Sequence, residues 1–285
     1  MGLTRASSGL LLYDAFSTDT SANYDSEEGT LSVSSGSIKS DTAAIYAVRT
    51  GISGVACATA RCYISGVAAG GGVFLGANAT LANANDVDGY ACKRSTGYGG
   101  GCYLVRLTNK SSTTLASDAT VISGIGYNIM RVYRSAGVVY GKMGATALTV
   151  AMSASDATYA GSLYGGFNLR YLTSDLVDWL DLRTAHTVTC SGLPAGSSVV
   201  VSDGVTTASA DTAAGAVSID AGAVLFPLTS VTVYASTGGG GAVLAQITSA
   251  TLTDMGGGDA YVYAAGFIPQ IMRHHFIPSL GGGIG

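Results

Sequence analysis

The stretch SDLVDWLDLRT, Ser174 to Thr184, holds three of the chain's eighteen acidic residues and its only tryptophan. Read as a strand, it closes a long series of alternating segments and leaves its acids on a polar side. Read as a cluster, it is a catalytic or metal-binding constellation. Side chains alternate faces along a strand, so residues three apart point opposite ways. Asp175, Asp178 and Asp181 therefore do not converge on one bond unless a bulge intervenes. The strand reading turns Trp179 inward and puts Asp178 on the wet face or at the strand's edge.

Composition favours the strand reading. Charged residues make up 11% of the 285 residues, against about 25% in an ordinary soluble domain. The deficit falls on the residues that cover exposed helix faces, with only Glu27, Glu28 and four lysines present. Gly, Ser, Thr, Val and Tyr take their place and suit turns and pleated strands. The expected fold class is all-β. A net charge of −4 with scattered arginines argues against nucleic acid as a partner. No apolar run approaches the ~20 residues of a membrane helix, and the N-terminus lacks a signal-peptide core.

Outward from 174–184, two series of short strands emerge. The first runs from Tyr13 through segments such as ATARCYISGVA, CYLVRLTN and YNIMRVYRSAGVVYGKMG to Thr184. The second begins with HTVTCSG and SSVVVSDG and holds about seven short strands, the count of an immunoglobulin-like sandwich. The expected division is an N-terminal arm at 1–12, a jelly-roll sandwich at 13–184, an immunoglobulin-like sandwich at 185–266 and an apolar tail at 267–285. The tail carries Phe267, Ile271, Met272, His274, His275 and Phe276, too many apolar groups to stand free in water, and reads as an assembly contact or as a cover docked on the chain's own surface.

The first series resembles the concanavalin A-like lectin and glucanase jelly rolls, in particular their laminin-G-like modules. The resemblance rests on YDAFSTDTSANYDSEEGTLSVSSGSIKS at 13–40, GGVFLGAN at 71–78, NANDVDGYACKRS at 83–95, YNIMRVYRSAGVVYGKMGATAL at 127–148, AGSLYGGFNLRY at 160–171 and VDWLDLRT at 177–184. The second series looks like the small immunoglobulin-like modules that accompany such domains in phage virion and bacterial surface proteins. Glucanases of this superfamily carry a Glu-x-Asp-x-x-Glu strand, and a retaining pair holds its carboxyls ~5–5.5 Å apart. Here the two glutamates are adjacent, and neighbours on a strand face opposite ways. The expectation is that the chain is not an enzyme.

Several residues remain as candidates. Tyrosine offers a sugar both an apolar ring and a polar tip, and many of the sixteen lie in the jelly-roll series. Tyr98 in the loop tip STGYGGG, Tyr90, Asn85 and Asp88 are the expected glycan-binding residues. Asn83, Asp86 and Asp88 form an oxygen-rich loop of the kind that holds calcium, and equally an ordinary turn; no other cofactor is implied. Cys92 and Cys102 flank STGYGGG and either form a cross-strand disulfide or, like the other three cysteines, are small buried residues. The function expected is a virion component displayed at the virion surface, made without a signal peptide. Its partners would be other copies of itself or other virion proteins, and cell-surface glycans. The alternative is a free-standing extracellular or cell-surface protein that binds or cleaves glycans.

Overall fold

The computed structural model describes residues 2–42, 45–65, 70–95, 101–119, 126–170, 174–213, 215–222, 224–225, 227–248 and 256–265. Among these the regular structure is strand, interrupted only by short 3-10 turns such as Ser21–Asn23, Ala84–Asp86 and Thr237–Gly239. No described helix is long and apolar enough to cross a membrane.

The larger body is an antiparallel jelly-roll sandwich. Its seven-stranded sheet runs Ser111–Asp118, Cys102–Thr108, Gly89–Ser95, Gly70–Gly76, Tyr164–Arg170, Ile45–Arg49, Tyr24–Ser26. Its eight-stranded sheet runs Val150–Ser155, Val138–Gly144, Gly126–Ser135, Cys57–Ile64, Leu176–Arg183, Ser37–Ser40, Leu31–Ser34, with Leu10–Asp14 paired to Leu176–Arg183. Alternation fills the space between the sheets from both sides. Ala58, Ala60, Cys62 and Ile64 face Val73, Leu75, Phe167 and Leu169 in one apolar core. The outer face of the seven-stranded sheet buries Tyr46, Phe74, Val105 and Leu107 beneath Leu81 and Val87 of the 77–88 loop.

The smaller body has two four-stranded sheets. One runs Gly2–Ser7, Ala260–Ala264, Thr187–Ser191, Ala216–Asp220, and the other Thr207–Asp211, Ser198–Ser202, Ser230–Tyr234, Val243–Thr248. Residues 2–12 are thus not an arm. Gly2–Ser7 completes a sheet of the smaller sandwich, Leu10–Asp14 adds a strand to the larger, and the chain crosses between them at Ser8 and Gly9. It returns between Arg183 and Thr187, where the Thr184 amide donates to the Gly9 carbonyl at 2.9 Å. Buried Asp259 pins the crossover, accepting from the Gly9 amide at 2.8 Å, the Gly256 amide at 2.9 Å and the Tyr261 hydroxyl at 3.0 Å.

The two bodies share a packed junction. Cys57 and Tyr133, on the outer face of the eight-stranded sheet, belong to the apolar core of the smaller sandwich. Tyr133 stacks on Tyr140 at 4.6 Å and on His186 at 4.3 Å. Burial holds the His186 imidazole below its ordinary range; Asp220 opposes this shift, while Arg131 and Lys142 reinforce it. A depressed folded-state value means that the unfolded chain takes up the proton more readily. Stability from this group is present above the ordinary imidazole range and is lost as pH falls below it. Melting temperatures measured across that range are expected to drop toward acid, and His186→Phe, which retains a ring in the stack, is expected to flatten the drop.

Candidate functional site

Leu176–Arg183 is the strand read from SDLVDWLDLRT, with Val177, Leu180 and Leu182 in the core. Its register against Cys57–Ile64 slips between Val177 and Trp179. A bulge of this kind adds one residue and shifts the alternation beyond it. Trp179 is therefore not turned inward. It lies opposite Arg61 on the outer face, half-buried, its ring 6.2 Å from that of Tyr13.

The same face carries a row of aromatic groups. Tyr63 pairs with Tyr127 across the Cys57–Ile64 and Gly126–Ser135 strands, ring centroids 5.1 Å apart and edge to face. The Arg61 guanidinium sits 4.0 Å over the Tyr127 ring and donates to Asp178 at 2.7 Å. Tyr13 and Tyr127 are 48% and 37% exposed, so the row is open to solvent. Four adjacent strands supply it, which at ~4.8 Å per strand makes a platform about 14 Å across. It ends where Cys57, Tyr133 and Tyr140 pass beneath the smaller sandwich.

The aspartates of the opening stretch have separate partners. Asp175 is buried and accepts from the Ser65 amide at 2.8 Å and hydroxyl at 2.7 Å. Asp178 pairs with Arg61 and takes the Ser37 hydroxyl at 3.4 Å. Asp181, opposite Tyr13, holds buried Arg183 by two bonds of 2.8 and 2.9 Å. Burial, then the carboxylates of Asp181 and Asp178, push the Tyr13 phenol upward. Two of the three acids thus act on the platform, which strict alternation does not allow.

The residues expected from sequence lie elsewhere. Tyr98 is outside the described residues, as are Phe267, Ile271, Met272, His274, His275 and Phe276. Tyr90 is not a surface residue. Gly89–Ser95 turns Tyr90 and Cys92 into the core, where the Tyr90 hydroxyl donates to Asp156 at 2.9 Å and burial pushes its phenol up to about 12. Asn85 is exposed beside a turn in which Asn83 Oδ1 accepts from the Asn85 amide at 2.8 Å. In the same turn Asp86 Oδ2 accepts from the Asn83 amide at 3.1 Å, closing a capping box. Asp88 accepts from the Asn109 amide at 2.8 Å. These are turn-forming roles, and no three His, Cys, Asp or Glu side chains gather as metal ligands among the described residues.

Cys92 and Cys102 form no disulfide. The register sets Cys92 opposite Leu104 and Cys102 opposite Arg94, so the two thiols are diagonal rather than facing. All five cysteines are buried and outside any disulfide. Burial raises the Cys92 thiol well above its ordinary range and the Cys102 thiol to about 11.

No protein-family model and no curated protein matches the sequence. Solved structures with a similar fold include a Bacillus subtilis protein of unknown function with a galectin-like fold, at 12% identity and a TM-score of 0.46 over 64% of this chain and 98% of that one. A laminarinase from Flavobacterium matches at 12% identity and 0.45, over 61% and 99%. The carbohydrate-binding module CBM66 from Bacillus subtilis matches at 10% and 0.43, over 56% and 93%. The likeness is one of fold.

One expectation is corrected. The reading that the chain is not an enzyme rested on strict alternation, and the bulge after Val177 breaks it, setting Asp178 and Asp181 on one face, so that reading is withdrawn.

Proposed function

We propose that this chain is a carbohydrate-binding protein, and that the glycan lies on the platform of Tyr13, Trp179, Arg61, Tyr63 and Tyr127. One observation carries the reading: four aromatic rings and a guanidinium from four adjacent strands lie together on one sheet face, with Tyr13 and Tyr127 open to solvent. A sugar ring presents an apolar C–H face and a rim of hydroxyls. Aromatic rings suit the first, and phenols, guanidinium and carboxylate suit the second. Sites of this kind are apolar surfaces with a few placed polar groups.

The smaller sandwich, which we read as an immunoglobulin-like module, walls one end of the platform. The reading of a virion component held by an N-terminal arm and an apolar C-terminal segment loses the arm, since Gly2–Ser7 and Leu10–Asp14 are strands of the two sandwiches. The segment 267–285 lies outside the described residues. Carbohydrate recognition is the part that the described residues support.

The test is binding of purified protein to a panel of immobilised glycans, with release of reducing ends measured in the same incubation. Trp179→Ala and Tyr127→Ala are each expected to weaken binding about tenfold, the upper end of what one stacked ring contributes. Unchanged affinity in both variants places the site elsewhere.

A further inference from the structure

We infer that the platform selects uncharged glycan chains, and that Asp178 is the residue that sets this selection; the inference rests on the carbohydrate-binding reading above. Arg61 is the one cation among the five platform side chains. Its Nη1 donates to Asp178 Oδ2 at 2.7 Å, and Asp178 is steadied on its other oxygen by the Ser37 hydroxyl at 3.4 Å. Val177 faces the core, so Asp178 falls on the outer face beside Arg61, and the bulge that follows brings Trp179 to the same face.

The next row of the same face is compensated too. Asp181 is held by Arg183 through two bonds. Within the platform the charge of Arg61 is therefore matched by that of Asp178.

Charge compensation has a chemical consequence. A sulfate or uronate on a glycan would have to share the Arg61 guanidinium with Asp178, bringing two anions onto one cation. A hydroxyl makes no such demand. The Arg61 side chain is 39% exposed, and a guanidinium has five N–H donors, of which Asp178 occupies one side. The others are placed to donate to sugar hydroxyls while the Tyr127 ring beneath holds the plane of the group. Arg61 is thus a hydroxyl reader, and Asp178 keeps it from becoming an anion site.

Asp178→Asn tests this, since the amide keeps the size of the side chain and removes its charge. The assay is an array of neutral, uronic-acid-containing and sulfated glycans, probed at low ionic strength with the full chain and with each variant after its melting temperature has been checked. Wild-type protein is expected to bind neutral glycans only. Asp178→Asn is expected to gain about fivefold in affinity for the sulfated or uronic-acid glycans, a gain that added salt removes. Arg61→Gln, lacking the cation, is expected to weaken binding to neutral glycans and to gain nothing on charged ones. Wild-type protein binding charged glycans as well as neutral ones, or Asp178→Asn with an unchanged profile, overturns the inference and leaves carbohydrate binding standing. An array blank for the wild type overturns both.

Discussion

Arg131→Met is expected to destabilise the protein by about 3–5 kcal/mol, the cost of breaking a buried charged network from one side. The Arg131 side chain is fully buried between the two sandwiches. Its Nε donates to Thr59 Oγ1 at 2.9 Å, and its Nη1 lies 3.3, 3.0 and 2.6 Å from the carbonyls of Ala221, Gly222 and Val224. Replacing a whole buried ionic group by apolar residues can be neutral or stabilising when every partner is replaced with it. Here three partners are backbone carbonyls, which no substitution removes. Methionine fills the volume of the stem; the Ala221 carbonyl keeps the Val224 amide at 3.0 Å, but those of Gly222 and Val224 lose the guanidinium, so the unfavourable terms win. At ~2–4 °C per kcal/mol for a body of this size, the melting temperature falls by about 10 °C. Calorimetry is expected to show the smaller sandwich melting ahead of the larger, because Arg131 ties its Ala221, Gly222 and Val224 to the sheet. A variant melting with the wild type would mean that Arg131 does not hold the junction.

Asp259→Ala is expected to cost about 3 kcal/mol or more, since buried donors to a charged acceptor lose it together. The carboxylate is fully buried and gathers the Gly9 amide, the Gly256 amide and the Tyr261 hydroxyl, with Arg5 at 3.7 Å. These groups come from the crossover, the turn before Ala260–Ala264 and that strand itself. Space around them is closed, for a Cβ on Gly256 would strike the Arg183 guanidinium, so the turn cannot shift to find other partners. The Gly2–Ser7 strand, whose pairing with Ala260–Ala264 depends on this crossover, is expected to become accessible to protease near Ser8. Cleavage no faster than in the wild type would show that the strand is held by its own ladder alone.

How much of this was legible from the residues differs between fold and site. The all-β class was legible because missing Lys and Glu and period-two alternation are local properties. The change of texture just after Arg183 is likewise a local property of the sequence. Long-range pairing was not. Nothing in GLTRAS marks it as a partner of AYVYA more than 250 residues away. Phase errors explain the rest. Gly89 begins its strand so that Tyr90 faces the core, and the register sets Cys92 against Leu104 rather than Cys102. In the opening stretch one inserted residue carries Trp179 to the outer face, and VDWLD looks the same with or without the bulge. The platform was missed because it is made by register. Tyr63 and Tyr127 meet only through the pairing of two strands, and Tyr13 reaches Trp179 through a third.

The chain's single tryptophan is also part of the platform, so its fluorescence reports on that surface without a label. Titrating the protein with a neutral glycan that it retains is expected to shift Trp179 emission in a saturating curve whose midpoint matches the affinity found by retention. A retained glycan that leaves Trp179 emission unchanged at saturation would contradict the placement of the site on this face.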